Sequence, residues 1–523
     1  MASSPLLALP AELLDWIADL VEVEDLLDFA LVCKRLHYHS RDRLALHDRY
    51  HGLCRVNNDR APSTMPMLLR LAINDPEAAW HVRELDFWGN RKTFVDWKPF
   101  DRLENAIEEA LEGPRRAGIP NSARERPRED LSDQDQTFWS LGELGKFEEI
   151  MKTCLKLSPV ATAAWMTELR QGSDRPLKGI LIALLPRLRR VNYISWTFPY
   201  MTGSKPLAFV GEVIQRIRQL SHAAWPPGFT SLRRIDVADP TPLLPIGTWG
   251  SCPRESVAPL FSLPNLKTLN LSNLVGDYDS MAEDEIPLGT SSVEELGLHA
   301  GELRGKTLEQ FLKAPARLKK LVLDYAQIPP GIHEAIVESH AHALRDINVE
   351  SMRLEHFRKL ENLTGCVLDV EHVLVVEHRG TQTVASVMPF RDSKASKLIK
   401  ILDLRDFLPP SIKKLRLEMT RNWKFGEKTA EAVLSMVADF VEDPRYSALE
   451  EVCIWNFMDE IDHSSTKALP RLLKRGIELH HQPLLLLGED VIEDRKHEML
   501  HPGITGLGCI ETESLGIPDV YVC

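Results

Sequence analysis

Eight segments of this chain share one six-residue pattern: an apolar residue, two intervening residues, a second apolar residue, one free position and a third apolar residue. They read LRRVNY from Leu188, LRRIDV from Leu232, LKTLNL from Leu266, VEELGL from Val293, LKKLVL from Leu318, LRDINV from Leu344, IKKLRL from Ile412 and LEEVCI from Leu449. Apolar triplets alone recur by chance in a chain that is 44% hydrophobic. The intervening pairs do not: 15 of their 16 residues are charged, all but Thr268, where the overall charged content of 27% predicts about four. Alternation at the end of each segment is that of a strand, whose successive side chains point to opposite faces. The fourth and sixth positions then enter a core, and the third, fifth and seventh line an open sheet. At 523 residues the chain is longer than one globular core usually grows, so a series of stacked strand units suits it.

Spacing supports stacking. From Leu188 to Leu344 the segments follow one another at 44, 34, 27, 25 and 26 residues, so the last three steps are nearly constant and the earlier ones carry insertions. Pro186, Pro264, Pro315 and Pro410 fall just ahead of the pattern, where a proline ends a helix before a strand begins. VRELDF from Val82 reads as a first repeat near residues 82–88. The third-position row is Arg190, Arg234, Thr268, Glu295, Lys320, Asp346, Lys414 and Glu451, and the fifth-position row includes Asn192, Asp236, Asn270, Asn348 and Arg416. Mixed charge of this kind suits a protein or peptide partner better than a polyanion. These units resemble degenerate leucine-rich repeats, without the regular Asn or Cys ladder of that family. The resemblance implies an irregular solenoid of strand–helix repeats with a parallel sheet on its concave face.

The N-terminal stretch has a different period. In LPAELLDWIADLVEVEDLLDFALVCKRL, Leu9 to Leu36, the residues Leu9, Leu13, Ile17 and Leu20 or Val21 recur at spacings of three and four, which makes one apolar helical stripe. Pro10 suits the first turn, and Asp25 can cap a second helix carrying Leu27, Leu31 and Val32, with Lys34 and Arg35 near its C-terminal end. Ser40 starts a third helix with Leu44 and Leu46. Three short helices cannot bury that much apolar surface among themselves, so part of it is expected to meet another protein.

The order Leu9-Pro10-x-Glu12-Leu13-Leu14-x-x-Ile17, then Asp25-Leu26-Leu27, then Leu31-Val32-Cys33-Lys34-Arg35, resembles an F-box over roughly Leu6 to Leu46. Leu36 stands where the family often has Trp, and Ala18 where it has leucine. The resemblance implies docking on a Skp-family adaptor, and through it on a cullin–RING ubiquitin ligase. Leu9, Pro10, Leu13, Ile17, Leu26, Leu27, Val32, Cys33 and Lys34 would supply the docking surface. F-boxes are joined to leucine-rich repeats in many proteins, notably fungal ones.

Other classes are disfavoured. A net charge of -13 and a pI near 5.8 argue against a broad nucleic-acid surface. Eight cysteines are scattered without a CxxC pair, which fits neither a zinc ribbon nor a dense disulfide framework. The N-terminus lacks a basic region and carries Glu12 and Asp15 in its apolar run, unlike a signal peptide, and no run is long enough to span a membrane. A cytoplasmic or nuclear location is expected. Neither GxSxG nor GxxxxGK[ST] occurs. GITGLGC at Gly503–Cys509 lacks a strand-then-helix setting and reads as a turn, and the pairs His37/His39, His340/His342 and His480/His481 lack further metal ligands at helical spacing. No metal, cofactor or catalytic residue is expected.

The sequence therefore reads as an α/β chain with a three-helix F-box at residues 1–50 and a helical linker section at 51–180. A repeat array follows at 181–460, and a C-terminal cap or tail at 461–523. GPRRAGIPNSARERPREDLSDQDQ, Gly113 to Gln136, has almost no apolar anchor and reads as a disordered loop, between helical stretches at Asp101–Glu112 and Phe147–Arg170. The expected function is non-catalytic: a substrate receptor of a Skp–cullin–F-box ligase, with Arg190, Arg234, Glu295, Lys320, Asp346, Lys414 and Glu451 among the residues facing an unknown target protein. The alternatives are an F-box scaffold that directs no ubiquitylation and, last, an enzyme with a site in the Glu371–Ser411 insertion or the tail.

Overall fold

The computed structural model describes residues 5–21, 25–97, 138–194, 207–220, 223–238, 252–272, 274–275, 286, 288–299, 306–324, 331–349, 352, 354–378, 381–384, 397–418, 427–455 and 468–474. The fold is mixed α/β, built on one parallel sheet of eleven strands. We number these β1 (Val56–Asn58), β2 (Glu84–Phe87), β3 (Arg190–Ile194), β4 (Arg234–Ala238), β5 (Thr268–Ser272), β6 (Glu295–His299), β7 (Lys320–Asp324), β8 (Asp346–Val349), β9 (Gly365–Asp369), β10 (Lys414–Glu418) and β11 (Glu451–Trp455). Their order in the sheet is their order in the chain, so each strand pairs with its predecessor and its successor.

All eight charged-pair segments are strands of this sheet, and their third positions stand in register: Arg190 opposite Arg234, then Thr268, Glu295, Lys320 and Asp346. Register continues from Asp346 through Gly365 to Lys414 and Glu451. VRELDF supplies β2, which pairs directly with β3 although 106 residues separate Val82 from Leu188. Two strands lack the pattern. β1 begins at the end of a helix, and the unit containing β9, Leu363 to Leu368, carries Thr364 and Gly365 where the others carry charge. The linker section at 51–180 is thus not merely helical, since it contributes β1 and β2 to the sheet.

Strand alternation decides burial. From β2 to β11 the second and fourth residues of every strand are buried, none more than 5% exposed. They join one continuous hydrophobic core with residues from helices that include Ala208–Gln219, Lys306–Lys313, Ile332–His340 and Glu427–Glu442. The first residue of each charged pair has a separate task at the edge where strands begin. Its carbonyl accepts the next unit's two leading N–H groups: Arg233 and Arg234 donate to Arg189, Glu294 and Glu295 to Lys267, Lys319 and Lys320 to Glu294. Side chains of the same row form ion pairs, Lys267 with Glu294 at 2.7 Å, Glu294 with Lys319, and Lys413 with Glu450 at 2.9 Å. The hydrogen bonds from both lysines hold the Glu294 carboxyl below its ordinary range. Charge in the pair thus belongs to two exposed rows, which is why it is so regular.

Among the described residues seven helices precede or interrupt the first strands: α1 (Ala11–Leu20), α2 (Leu26–Leu31), α3 (Lys34–His39), α4 (Arg41–Cys54), α5 (Thr64–Asn74), α6 (Pro76–His81) and α7 (Leu141–Thr153), followed by α8 (Pro159–Arg170) and α9 (Arg175–Leu184). The second expected N-terminal helix is split at Val32–Cys33, so four helices, not three, occupy the first 54 residues, and the last crosses the expected boundary at residue 50. The expected helix over Phe147–Arg170 is two, α7 and α8. Cys33 is extended there, which ends α2 and starts α3. Asp59, Arg91, Asp174 and Lys178 form a buried charged quartet between the loop after β1, the loop after β2 and α9, with Lys178 Nζ 2.7 Å from Asp59 and 2.9 Å from Asp174. The step between β9 and β10 holds a three-stranded antiparallel sheet with Leu374–His378 at its centre, flanked by Thr381–Val384 and Lys397–Ile401. The expected helix over Asp101–Glu112, the expected disordered loop Gly113–Gln136, Gly503–Cys509 and His480/His481 lie outside the described residues.

Candidate interaction surfaces

Two surfaces stand out, one on the N-terminal helices and one on the sheet. In α1 the interior is made by Leu14 and Ala18, in α2 by Leu26 and Ala30, and in α3 by Leu36, all buried. Ala18 and Leu36, the two departures from the F-box pattern, therefore face inward. Because three short helices have only one interior line, apolar residues on their other faces stay in water. Leu13, Trp16, Leu20, Leu27, Leu31, Val32 and Tyr38 are all exposed, Leu20 by 81%. Of the expected docking residues, Pro10, Leu13, Leu27, Val32 and Lys34 are exposed and Leu9, Ile17 and Cys33 half-buried, while Leu26 points into the interior and cannot contact a partner. Trp16, Leu20, Leu31 and Tyr38 are exposed beside them but were not among the expected docking residues. Trp16 lies three residues from Leu13 and four from Leu20, and that spacing was the available signal.

Polar contacts hold these helices in place. Arg43 Nη1 donates to the carbonyls of Ala18, Asp19 and Val21 at 2.8, 2.9 and 2.8 Å, which satisfies the end of α1. Its Nη2 reaches Glu77 of α6 at 3.3 Å. Arg35 donates to the Leu9 carbonyl, and His39 pairs with Asp15 at 2.7 Å. Tyr50 of α4 donates to Asp75 at 2.7 Å, and Asp75 caps α6 through the N–H of Ala78. That bond pushes the Tyr50 hydroxyl up to about 12. Beside it His81 is fully buried, and burial together with His47 lowers it to about 4, so it is neutral between α4 and α6.

On the sheet, the odd positions of each strand form the open face, and the face has two parts. From β2 to β5 the polar side chains bond one another: Arg190 Nε donates to Asn192 at 2.8 Å and Asp236 at 3.1 Å, Arg234 to Asp236 at 2.7 Å, Asn270 to Asp236 at 2.6 Å, and Asn192 to Asp86. Burial pushes the Asp86 carboxyl up to about 6. Arg190 is thus not the free exposed cation its row suggested, being only 17% exposed in its side chain and held by two acids. From β6 to β9 the bonding thins. Among the described residues Glu295 accepts only a 3.3 Å bond from Thr268, Lys320 and Asp346 are exposed, and Val322 and Val367 are half-buried in the fifth-position row. Glycines make room for their neighbours: a Cβ on Gly297 would overlap Asn270 Oδ1, and one on Gly365 would overlap Asp346 Oδ1. Lys414 pairs with Glu451 at 2.8 Å.

Among the described residues no group of three or more His, Cys, Asp or Glu side chains could hold a metal ion, and no helix is long and apolar enough to cross a membrane. Cys33, Cys54, Cys154 and Cys366 are free thiols. No model of a known protein family matches the chain, and no curated protein matches it.

Proposed function

We propose that the chain is a substrate-recognition subunit of a Skp–cullin–F-box ubiquitin ligase, with its N-terminal helices docked on a Skp-family adaptor and a solenoid of leucine-rich-repeat units holding a target protein. The observation that carries this reading is the concentration of exposed apolar side chains. Seven of the twelve large hydrophobic residues exposed among the described residues lie in the first 38 positions. A patch of that kind marks a protein contact. The stacked strand units support the second half, since a sheet with one open polar face offers an extended surface for a partner. The contribution to ubiquitin transfer is proximity, because a held target lysine meets the thioester at high effective concentration.

The test is capture of a purified Skp-family adaptor by the full-length chain. Leu13→Ala with Leu31→Ala removes two exposed leucines without opening the interior. Burial of one leucine is worth roughly 1.5–3 kcal/mol, so affinity should fall by about tenfold or more. Unchanged adaptor capture by the double variant would reject the docking face. Adaptor capture without cullin in the complex would favour a scaffold that directs no ubiquitylation.

A further inference from the structure

The turns that lead into β9, β10 and β11 border an open cleft of about 450 Å³. It lies outside the strand rows, and each turn contributes one arginine: Arg358, Arg405 and Arg445. Arg405 and Arg445 sit in the same local device, forty residues apart. Asp403 and Asp443 each cap a short 3-10 helix by accepting from the backbone N–H of Arg405 and Arg445, both at 2.9 Å. Each aspartate then takes a two-point fork from the same arginine, Nε and Nη2 at 2.9 and 2.5 Å for Arg405 and at 3.1 and 2.8 Å for Arg445. A fork engages one edge of the guanidinium. Nη1 of both arginines has no hydrogen-bond partner among the described residues, and Arg358 hydrogen-bonds there through Nε alone, to the Asp406 carbonyl, while the guanidinium groups of Arg358 and Arg445 lie over the rings of Phe407 and Tyr446. The turn is stiff as well. Tyr446 donates to the Leu408 carbonyl at 2.9 Å, and Pro409 and Pro410 fix their own φ.

Four terminal nitrogens, two on Arg358 and one each on Arg405 and Arg445, thus hold N–H donors without an acceptor, around a space large enough for two or three residues. The charges beside them decide the ligand. Glu361 and Asp406 also line the cleft and have no ion pair among the described residues. With Asp403 and Asp443 the four acids outnumber the three arginines, so a dianion such as phosphate meets net repulsion. A single carboxylate carries half that charge and meets about half the repulsion, which hydrogen bonds from the arginines' Nη groups can offset. Carried on a peptide, it has two acceptor oxygens for the arginines and, beside them, backbone N–H groups that can donate to Glu361 and Asp406. We propose that this cleft binds a peptide carboxylate, supplied either by a chain end or by an aspartate or glutamate side chain. The site is independent of the adaptor-docking face and would exist in a protein that never met a ligase.

The test passes ten-residue peptide libraries, random at their last four positions, over the immobilised full-length protein and reads the retained sequences by mass spectrometry. One library ends in a free carboxylate, a second in an amide, a third in an amide with no Asp or Glu, and a fourth replaces Glu by phosphoserine. Tenfold or greater enrichment of the free-acid library over its amide assigns the chain end. Enrichment of Asp or Glu within the amide library assigns the side chain. In either case Arg358→Ala and Arg445→Ala, both at exposed positions, should each reduce retention by about tenfold while the melting temperature holds, and Arg358→Lys should recover part of it. No enrichment, equal retention of the library without acids, a preference for phosphoserine, or retention that neither arginine variant lowers would overturn the proposal. Adaptor capture, measured on the same variants, should be unchanged, which separates this outcome from that of the ligase reading.

Discussion

Leucine has opposite fates at the two ends of this molecule. In the sheet, Leu269 and Leu321 are fully buried, whereas in α1 and α2 Leu20 and Leu31 are 81% and 77% exposed. The difference lies in what each kind of element can cover. A strand sends alternate residues to one side, where a layer of helices receives them, so every unit adds to a common core. Three short helices share one interior line, filled by Leu14, Ala18, Leu26, Ala30 and Leu36, and any apolar residue beyond it faces solvent. The same residue type therefore stabilises the fold in one region and is free to bind in the other.

The comparison can be broken most directly by truncation. Leu269→Ala or Leu321→Ala should cost about 2–5 kcal/mol in denaturant unfolding, because each leaves a cavity in a close-packed core. Leu31→Ser should change stability by less than about 0.5 kcal/mol. Similar losses at both places would mean that the exposed leucines are structural.

A second effect is specific to the sheet and depends on pH. Asp86 lies 5% exposed with its pKa raised to about 6, so the folded state favours its neutral form. Its contribution is fully present below pH 4 and is lost as pH rises through about 6, on the order of 2–3 kcal/mol across that window. Asp86→Asn should flatten the stability profile between pH 4 and 6. An unchanged profile would place the titration elsewhere.

The smallest effect sharpens the division within the open face. Arg190→Glu sets a new carboxylate against Asp236 and Glu84 and strands Asn192, which should cost about 1–3 kcal/mol. Lys320→Glu, at an exposed site in the thinly bonded part, should shift stability by less than about 0.5 kcal/mol. Equal costs in thermal melts would show that the two parts of the face do not differ.

How much of this was legible in the sequence follows from how local each signal is. Strand positions and their register could be read because charge at the second and third positions of a unit is demanded by two exposed rows at once. The β9 unit escaped notice because Thr364 and Gly365 replace that charge, Gly365 standing beneath the Asp346 side chain, and only the apolar spacing of Leu363, Cys366 and Leu368 remained. The inward turn of Leu26 was not legible, since Leu26 and Leu27 are the same residue type and only packing distinguishes them. Nor was the tie between Arg190 and Asp236, 46 positions apart, which arises from strand pairing. The arginine cleft is a tertiary product too, although the sequence repeats its Asp-x-Arg step at Asp403 and Asp443.

One junction has a mechanical consequence. Helix α4 ends at Cys54 and β1 begins at Val56, so a single residue joins the N-terminal helices to the sheet, and bonds from Tyr50 and Arg43 brace the corner. In the proposed assembly such a joint behaves as a fixed jib, not a tether. Cargo held on the sheet is delivered at a set height and bearing, so which lysines come within reach is dictated by the cargo's own pose, and a few flexible residues inserted at Arg55 would widen that arc.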